Sequence, residues 1–218
     1  MKTIELFMRF WPSFTDALGF TLRLTVVSLF FATIIGIIFG MFKVSKSKML
    51  KFVANVYIDI IRGTPLIVQA YVIYFGIPST FSIQMSAFIA GSITLSVNAG
   101  AYMAELVRGG IEAVDKGQME ASRSLGLSYG KSMRKVVLPQ ALRTMLPSII
   151  NQFIITLKDT SILSVIGIRE LTMNAKIIAA NNVVVTMTIW LFAAVFYLVI
   201  CTILSKLAKY LERRLSYE

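Results

Sequence analysis

Residues 120–139 read EASRSLGLSYGKSMRKVVLP, and the reading of the whole chain turns on them. Just upstream, Asp115 stands where a side chain can cap a helix start. A helix is predicted from about Gln118 to Leu125, with Gly126 in the position that closes a helix with left-handed backbone. A second helix is predicted from about Tyr129 to Val137, stopping before Pro139, because the residue ahead of a proline is pushed away from helical geometry. Arg123, Lys131, Arg134 and Lys135, with Lys116 just before, make the stretch basic. It is too polar to cross a membrane and too regular to be a slack linker. Two short helices joined by a glycine form a compact knob that a soluble partner could grip.

On both sides of this stretch the chain is apolar. Of 218 residues, 56% are hydrophobic, and the mean hydropathy is +0.75. Soluble domains hold about 45–50% by a slightly broader count. Residues 24–42, 83–104 and 183–205 each run without a charge for roughly the 20 residues that a membrane crossing needs. Residues 57–77 and 145–168 are two further spans, interrupted by Asp59 and Arg62 and by Lys158 and Asp159. The expected fold is therefore an all-α integral membrane protein, one transmembrane domain over 1–218, with five transmembrane helices and a cytoplasmic helix-turn-helix over 112–140.

A net charge of +11 would suggest nucleic acid in a soluble protein. Its distribution says otherwise. Lys43, Lys46, Lys48 and Lys51 follow the first span. The knob follows the third, and Lys206, Lys209, Arg213 and Arg214 follow the fifth. The opposite side carries only Lys2, Arg9, Arg169 and Lys176. The positive-inside rule places the N-terminus outside and the C-terminus in the cytoplasm of a multi-pass protein of the cytoplasmic membrane. Anionic membrane lipid, not nucleic acid, is the partner for the inner cations. There is no histidine and one cysteine, Cys201, so no internal disulfide or ordinary zinc or haem site is expected, and no metal ligands are assigned. The first apolar run is long enough to span and ends in Lys43 without a small-residue cleavage pattern, so it reads as a retained span.

Phe7, Phe10, Trp11 and Phe14 share one helical face, which predicts a separate interfacial helix over residues 1–16 on the outer side. Arg23 lies near the outer end of the first span, where it can snorkel. In the second span, Asp59 and Arg62 stand three apart and can pair on one face. Gly63 and Pro65 then loosen the helix, since Pro65 has no N–H for the ladder. Arg62, Thr64 and Gln69 are candidates for lining a passage. A short outer turn is predicted around Pro78. In the third span Asn98, Tyr102 and Glu105 share a face, and an amide near mid-span needs a partner or a wet cavity. In the fourth, Ser148, Gln152, Thr156, Asp159 and Thr160 fall on one stripe, and Lys158 and Asp159 lie about 20 Å from Met145 along the helix. Intramembrane charges are functional candidates by default. A free amino acid carries one carboxylate and one ammonium, which Lys158 and Asp159 could receive; pairing of Asp159 with Arg23 or Arg62 is the structural alternative.

The knob resembles the coupling loop of the membrane subunit of bacterial ATP-binding-cassette (ABC) importers. That pattern is Glu-Ala-Ala, three residues, Gly, nine residues, Ile-x-Leu-Pro. It falls here on Glu120, Ala121, Ser122, Gly126, Val136, Leu138 and Pro139, with Ser122 for Ala and Val136 for Ile as size-conserving departures. The runs IRGTPLIVQ (61–69), NAGAYMAELVRGGI (98–111), DKGQMEA (115–121) and LKDTSILSVIG (157–167) look like the polar amino-acid branch of the family, the histidine, glutamine and cystine permeases. The resemblance implies the type I importer fold and coupling to an ATPase through Glu120, Ala121, Ser122, Gly126, Leu138 and Pro139. It also implies a second permease subunit, identical or homologous, a separate ATP-hydrolysing subunit, and an extracytoplasmic amino-acid-binding protein. The Lys-Asp-Thr-Ser form looks more like transporters of glutamine, cystine or other uncharged polar amino acids than like those of arginine or histidine.

Gly130-Lys131-Ser132 imitates the tail of a phosphate-binding loop, but Leu125 stands where that motif needs glycine, and no strand precedes it. ATP and Mg are therefore assigned to the partner subunit, and this chain is not expected to be an enzyme. The competing reading is a secondary transporter in which Asp59, Glu105 and Asp159 carry protons, but such folds usually show internal repeats, which are not evident here. A non-transporting scaffold is disfavoured by the charges in two spans. The substrate-contacting set expected from sequence is Lys158, Asp159, Thr160, Gln152, Asn98, Arg62 and Gln69.

Overall fold

The computed structural model of the protein describes residues 3–216; Lys2 lies outside them, and the side chains of Arg213 and Arg214 lie outside the described ones. The described chain is helical throughout. In chain order the helices are α1 (Thr3–Val44), α2 (Lys48–Arg62), α3 (Leu66–Tyr71), α4 (Ile77–Phe81), α5 (Ala87–Glu112), α6 (Lys116–Ser124), α7 (Tyr129–Ser132), α8 (Leu138–Asp159), α9 (Leu171–Asn181) and α10 (Thr186–Ser216). Four helical runs, in α1, α5, residues 129–166 and α10, are long and apolar enough to cross a membrane. The fifth crossing is a broken one, in which α2 and the run from Leu66 to Phe81 meet at 101°.

The helix α5 is the axis of the fold. It packs along α1, against α8 and against α2. The α1–α5 approach is set by glycine. A Cβ on Gly36 would stand 2.4 Å from the Cβ of Met103, and one on Gly40 would stand 2.6 Å from that of Val107. Small residues at such seams let backbones approach where lipid supplies no hydrophobic drive. The opposite face of α1 leaves Val26, Phe30, Ile34, Ile37 and Ile38 exposed, as a lipid-facing surface requires.

Three elements differ from the sequence expectation. The boundary at residue 16 is absent. Residues 3–44 form one helix with Pro12 inside it. The aromatic face of its first turns does not lie free at an interface. Phe7 and Phe14 stack edge-on to Phe192 of α10, at 5.0 and 6.3 Å, and Trp11 lies 5.3 Å from Phe196. Burial of this cluster outweighs the one backbone bond that Pro12 forgoes.

Second, the helix of the knob does not stop before Pro139. Residues 133–137 form a π-turn, the Leu138 N–H donating to the Met133 carbonyl, and α8 continues directly. Pro78 is handled in the same way. Residues 72–76 form a π-turn, the Ile77 N–H reaches the Val72 carbonyl, and Pro78 sits inside the first turn of α4 rather than in an outer loop. Widening the turn by one residue moves the carbonyl that a proline ring would strike, so helix direction is kept across the proline. The chain reverses instead at Ser82, which has φ +52°.

Third, Asp59 and Arg62 do not pair. Both are exposed, and the Arg62 guanidinium lies over the Tyr102 ring, 5.1 Å from its centroid.

Candidate functional site: a coupling knob, a broken-helix corner and an intramembrane charge pair

The knob is built as its sequence requires. The Asp115 carboxylate accepts the Gly117 N–H at 2.7 Å and starts α6. At the other end the Leu127 N–H donates to the Ser122 carbonyl and the Gly126 N–H to that of Arg123, a closure that needs left-handed backbone. Gly126 supplies it at φ +85°. Glu120 and Ala121 face solvent, whereas Ser122 is buried with its hydroxyl donating to the Met119 carbonyl. Leu125, at the apex, is 84% exposed, an apolar tip with no partner in this chain. The base is the opposite. Met119, Met133, Val137 and Leu138 pack into one core with Val107 and Ile111 of α5 and Met145 of α8. Pro139 is exposed at the start of α8. A displacement of the knob therefore reaches α5 and α8 through close-packed side chains rather than through a flexible hinge. Gly130-Lys131-Ser132, which imitates the tail of a phosphate loop, lies in α7, and Ser132 is fully buried.

The broken corner answers a question posed by Pro65. In a continuous helix the Ile61 carbonyl would receive the N–H of residue 65, and proline has none. The Gln69 side chain takes that place. Its Nε2 donates to the Ile61 carbonyl at 2.7 Å, to the Thr64 carbonyl at 3.1 Å and to Thr64 Oγ1 at 2.9 Å. Its Oε1 accepts from Asn98 Nδ2 of α5 at 3.0 Å. Gln69 thus closes the corner and ties it to the central helix. Its amide donors are committed to the protein. Beside it, Arg62 lies over the Tyr102 ring and enters no ion pair among the described residues. The sequence set Arg62, Gln69 and Asn98 is brought together here.

The second half of the set lies at the C-terminal end of α8. The α-helix ends at Asp159 and tightens into a 3-10 turn over residues 160–166, which packs against α3. Lys158 is exposed and Asp159 half-buried, whereas Thr160 is fully buried with its hydroxyl donating to the Leu157 carbonyl at 2.7 Å. Gln152 is also buried, and Thr156 donates back to its carbonyl. The expected polar stripe therefore does not stay on one open face. Among the described residues, no ion pair includes Arg23, Asp59, Arg62, Lys158 or Asp159. The alternative pairing of Asp159 with Arg23 or Arg62 is absent.

Glu105, by contrast, is bound on both oxygens, to Lys43 at 2.5 Å and to Arg108 at 2.8 Å, and Arg108 also pairs with Glu112. The Lys43–Glu105 pair ties the C-terminal ends of α1 and α5 together.

One buried acid escaped the sequence reading. Glu170 has no exposed surface. It caps α9, accepting the Thr172 and Met173 N–H groups at 2.7 Å each, and receives the Tyr197 hydroxyl at 2.7 Å. Burial pushes its carboxyl above the usual range, against the lowering effect of those donors. The available signal was Glu-Leu-Thr directly before a helical run, a cap pattern. Its burial depends on α10, which no local pattern reveals.

The fold and the knob define the membrane subunit of a binding-protein-dependent transporter, and comparison agrees. The family model for "binding-protein-dependent transport system inner membrane component" matches residues 32–217. The glutamine transport system permease protein of Escherichia coli strain K12 is 41% identical over 210 residues, 94% of this chain and 95% of that protein. The L-cystine transport system permease protein of Bacillus subtilis strain 168 is 38% identical over 207 residues, 95% and 88% of the two chains. The crystal structure of an amino acid ABC transporter with histidines superposes with a TM-score of 0.91 at 39% identity, covering 98% of this chain and 99% of that one. This chain belongs to the family of binding-protein-dependent transport system inner membrane components; it is a multi-pass permease subunit of the ABC type.

Proposed function

We propose that this chain forms, with a second permease subunit, the passage of an ATP-driven importer for a polar amino acid, with glutamine or cystine favoured. One observation carries the reading: Arg62, Lys158 and Asp159 lie in membrane-spanning segments and enter no ion pair among the described residues. Unpaired charge at that depth costs several kcal/mol by order of magnitude unless a ligand, a partner helix or water receives it. An amino acid offers both a carboxylate and an ammonium. In this reading Lys158 or Arg62 holds the carboxylate, Asp159 the ammonium or a polar side chain, and Asn98 and Gln69 fix the corner beside them. Thr160 and Gln152 shape the wall from within the protomer. The relatives named for glutamine and L-cystine support the substrate class.

The ATPase subunit binds ATP and Mg, and its closure moves the knob at the exposed Glu120, Ala121 and Leu125, with Ser122 packed beneath them. The tightly packed base passes that motion to α5 and α8, opening the passage alternately to the two sides. An extracytoplasmic binding protein delivers the substrate. The N-terminus is outside and the C-terminus cytoplasmic. The gradient-driven alternative loses one of its proton carriers, because Glu105 is held between two cations.

The test is competitive uptake of glutamine, cystine and arginine by the reconstituted complex, at matched insertion and ATPase assembly. Lys158→Ala is expected to impair every substrate, Asp159→Asn likewise, and Asp159→Glu to shift preference toward cationic amino acids. Wild-type rates in both Lys158→Ala and Asp159→Asn would remove the charge pair from the site. Uptake driven by an ion gradient without ATP would overturn the class.

A further inference from the structure

A cleft of about 540 Å³ opens where α1, α5 and the knob meet. Its floor is apolar, with Ile111, Met133 and Val137 nearly buried. Its rim carries Lys43, Lys51, Lys116, Glu112, Asp115 and Tyr129. The acids are already committed. Glu112 pairs with Arg108, and the Asp115 carboxylate caps α6. Lys43 is committed as well, to Glu105. Lys51 and Lys116 are both exposed and enter no ion pair among the described residues. Lys46 stands over the Tyr129 ring, 5.2 Å from its centroid, and adds a further positive charge at the same edge. The cleft is therefore cationic in effect although its lining contains two carboxylates.

We propose that this cleft binds the phosphate of one anionic phospholipid, held between Lys51 of α2 and Lys116 of the knob. The position favours a lipid over a soluble anion. The cleft lies where α1 and α5 reach the ends of their apolar segments. Next to Lys51, α2 exposes Met49 (73%) and Phe52 (68%), a surface that suits acyl chains better than water. The apolar floor offers nothing to the remaining oxygens of a free phosphate, but it accepts the glycerol region of a lipid. Bound there, the headgroup bridges α2, whose far end is the Gln69 corner, to the element that couples to the ATPase. The site thus gives the membrane a direct hold on the knob.

The measurement is made on the purified full chain and does not depend on which amino acid is carried. Native mass spectrometry, with titration by dioleoylphosphatidylglycerol, reads the affinity of the first retained lipid. Wild type is expected to retain one phosphatidylglycerol that phosphatidylcholine does not replace. At roughly a fivefold change per lysine near a charged surface, Lys51→Gln with Lys116→Gln is expected to weaken it roughly thirtyfold. Lys209→Gln, an inner lysine away from the cleft, is expected to leave it unchanged. Equal retention in the double variant, or equal weakening by Lys209→Gln, would reduce the site to diffuse attraction and overturn the proposal. Displacement of the lipid by inorganic phosphate at matched concentration would overturn the lipid assignment in favour of a soluble anion.

Discussion

Replacing Gln69 by leucine keeps most of the side-chain volume and removes every bond that closes the corner. Two part-buried groups then lose partners: the Ile61 carbonyl, which Pro65 cannot serve, and Asn98 Nδ2; the Thr64 carbonyl loses one too, but at an exposed contact that water can replace. Thr64 retains a bond of its own to the Ile60 carbonyl. A buried polar group left unmatched costs about 1–3 kcal/mol in soluble proteins. Interhelical hydrogen bonds in membranes average closer to 0.6 and reach about 1.7 kcal/mol. Two such losses place the expected destabilisation at about 1–3 kcal/mol. The assay is thermal unfolding of the purified chain in detergent, followed by helicity, alongside uptake in vesicles. Gln69→Leu is expected to lower both. Gln69→Glu keeps an acceptor for Asn98 but no donor for Ile61, and should fall between. Arg62→Leu removes a charge that makes no bond at the corner, so it should reduce uptake with little loss of stability. If Gln69→Leu unfolds with wild-type stability, the corner is held by packing alone and the hydrogen-bond argument fails.

Gly126→Val is expected to abolish ATPase assembly, because a β-branched residue at φ +85° costs at least the 1–2 kcal/mol typical of left-handed backbone; Glu120→Lys should do so through charge at the exposed face, and co-purification of the ATPase subunit checks both. For Glu170, a raised carboxyl means that the native state holds the proton more tightly than the unfolded chain. Its contribution is therefore fully present below the unfolded value of about 4.3 and is lost as pH rises through the folded value. Melting temperatures measured from pH 4 to 8 should decline more steeply in wild type than in Glu170→Gln; parallel curves would refute the assignment. In a Cys201→Ala background, cysteines at the exposed positions Ser47 and Ser128 should label only from the cytoplasm and one at Ser79 only from outside. Reversed labelling would overturn the orientation.

The sequence by itself determined the class of this protein and the location of its knob. Hydropathy is a running property, so apolar stretches announce spans without knowledge of their neighbours. The knob was legible for the same reason: Asp115 as a cap and Gly126 as a left-handed closure act within a few residues of themselves. Tertiary structure decided which polar side chains meet. Gln69 serves Ile61 locally but reaches Asn98 across 29 residues, and Lys43 meets Glu105 across 62. Arg62, three residues from Asp59 and in the same helix α2, lies instead over the Tyr102 ring of α5. Spacing says which side chains share a face, not which group on a neighbouring helix competes for them. Proline was read rightly at Pro65, where it marks a corner, and misleadingly at Pro78 and Pro139, where a π-turn ahead of the ring keeps the helix running. The difference lies in whether an added backbone residue or a distant side chain takes up the missing hydrogen bond, and only the packed structure decides that.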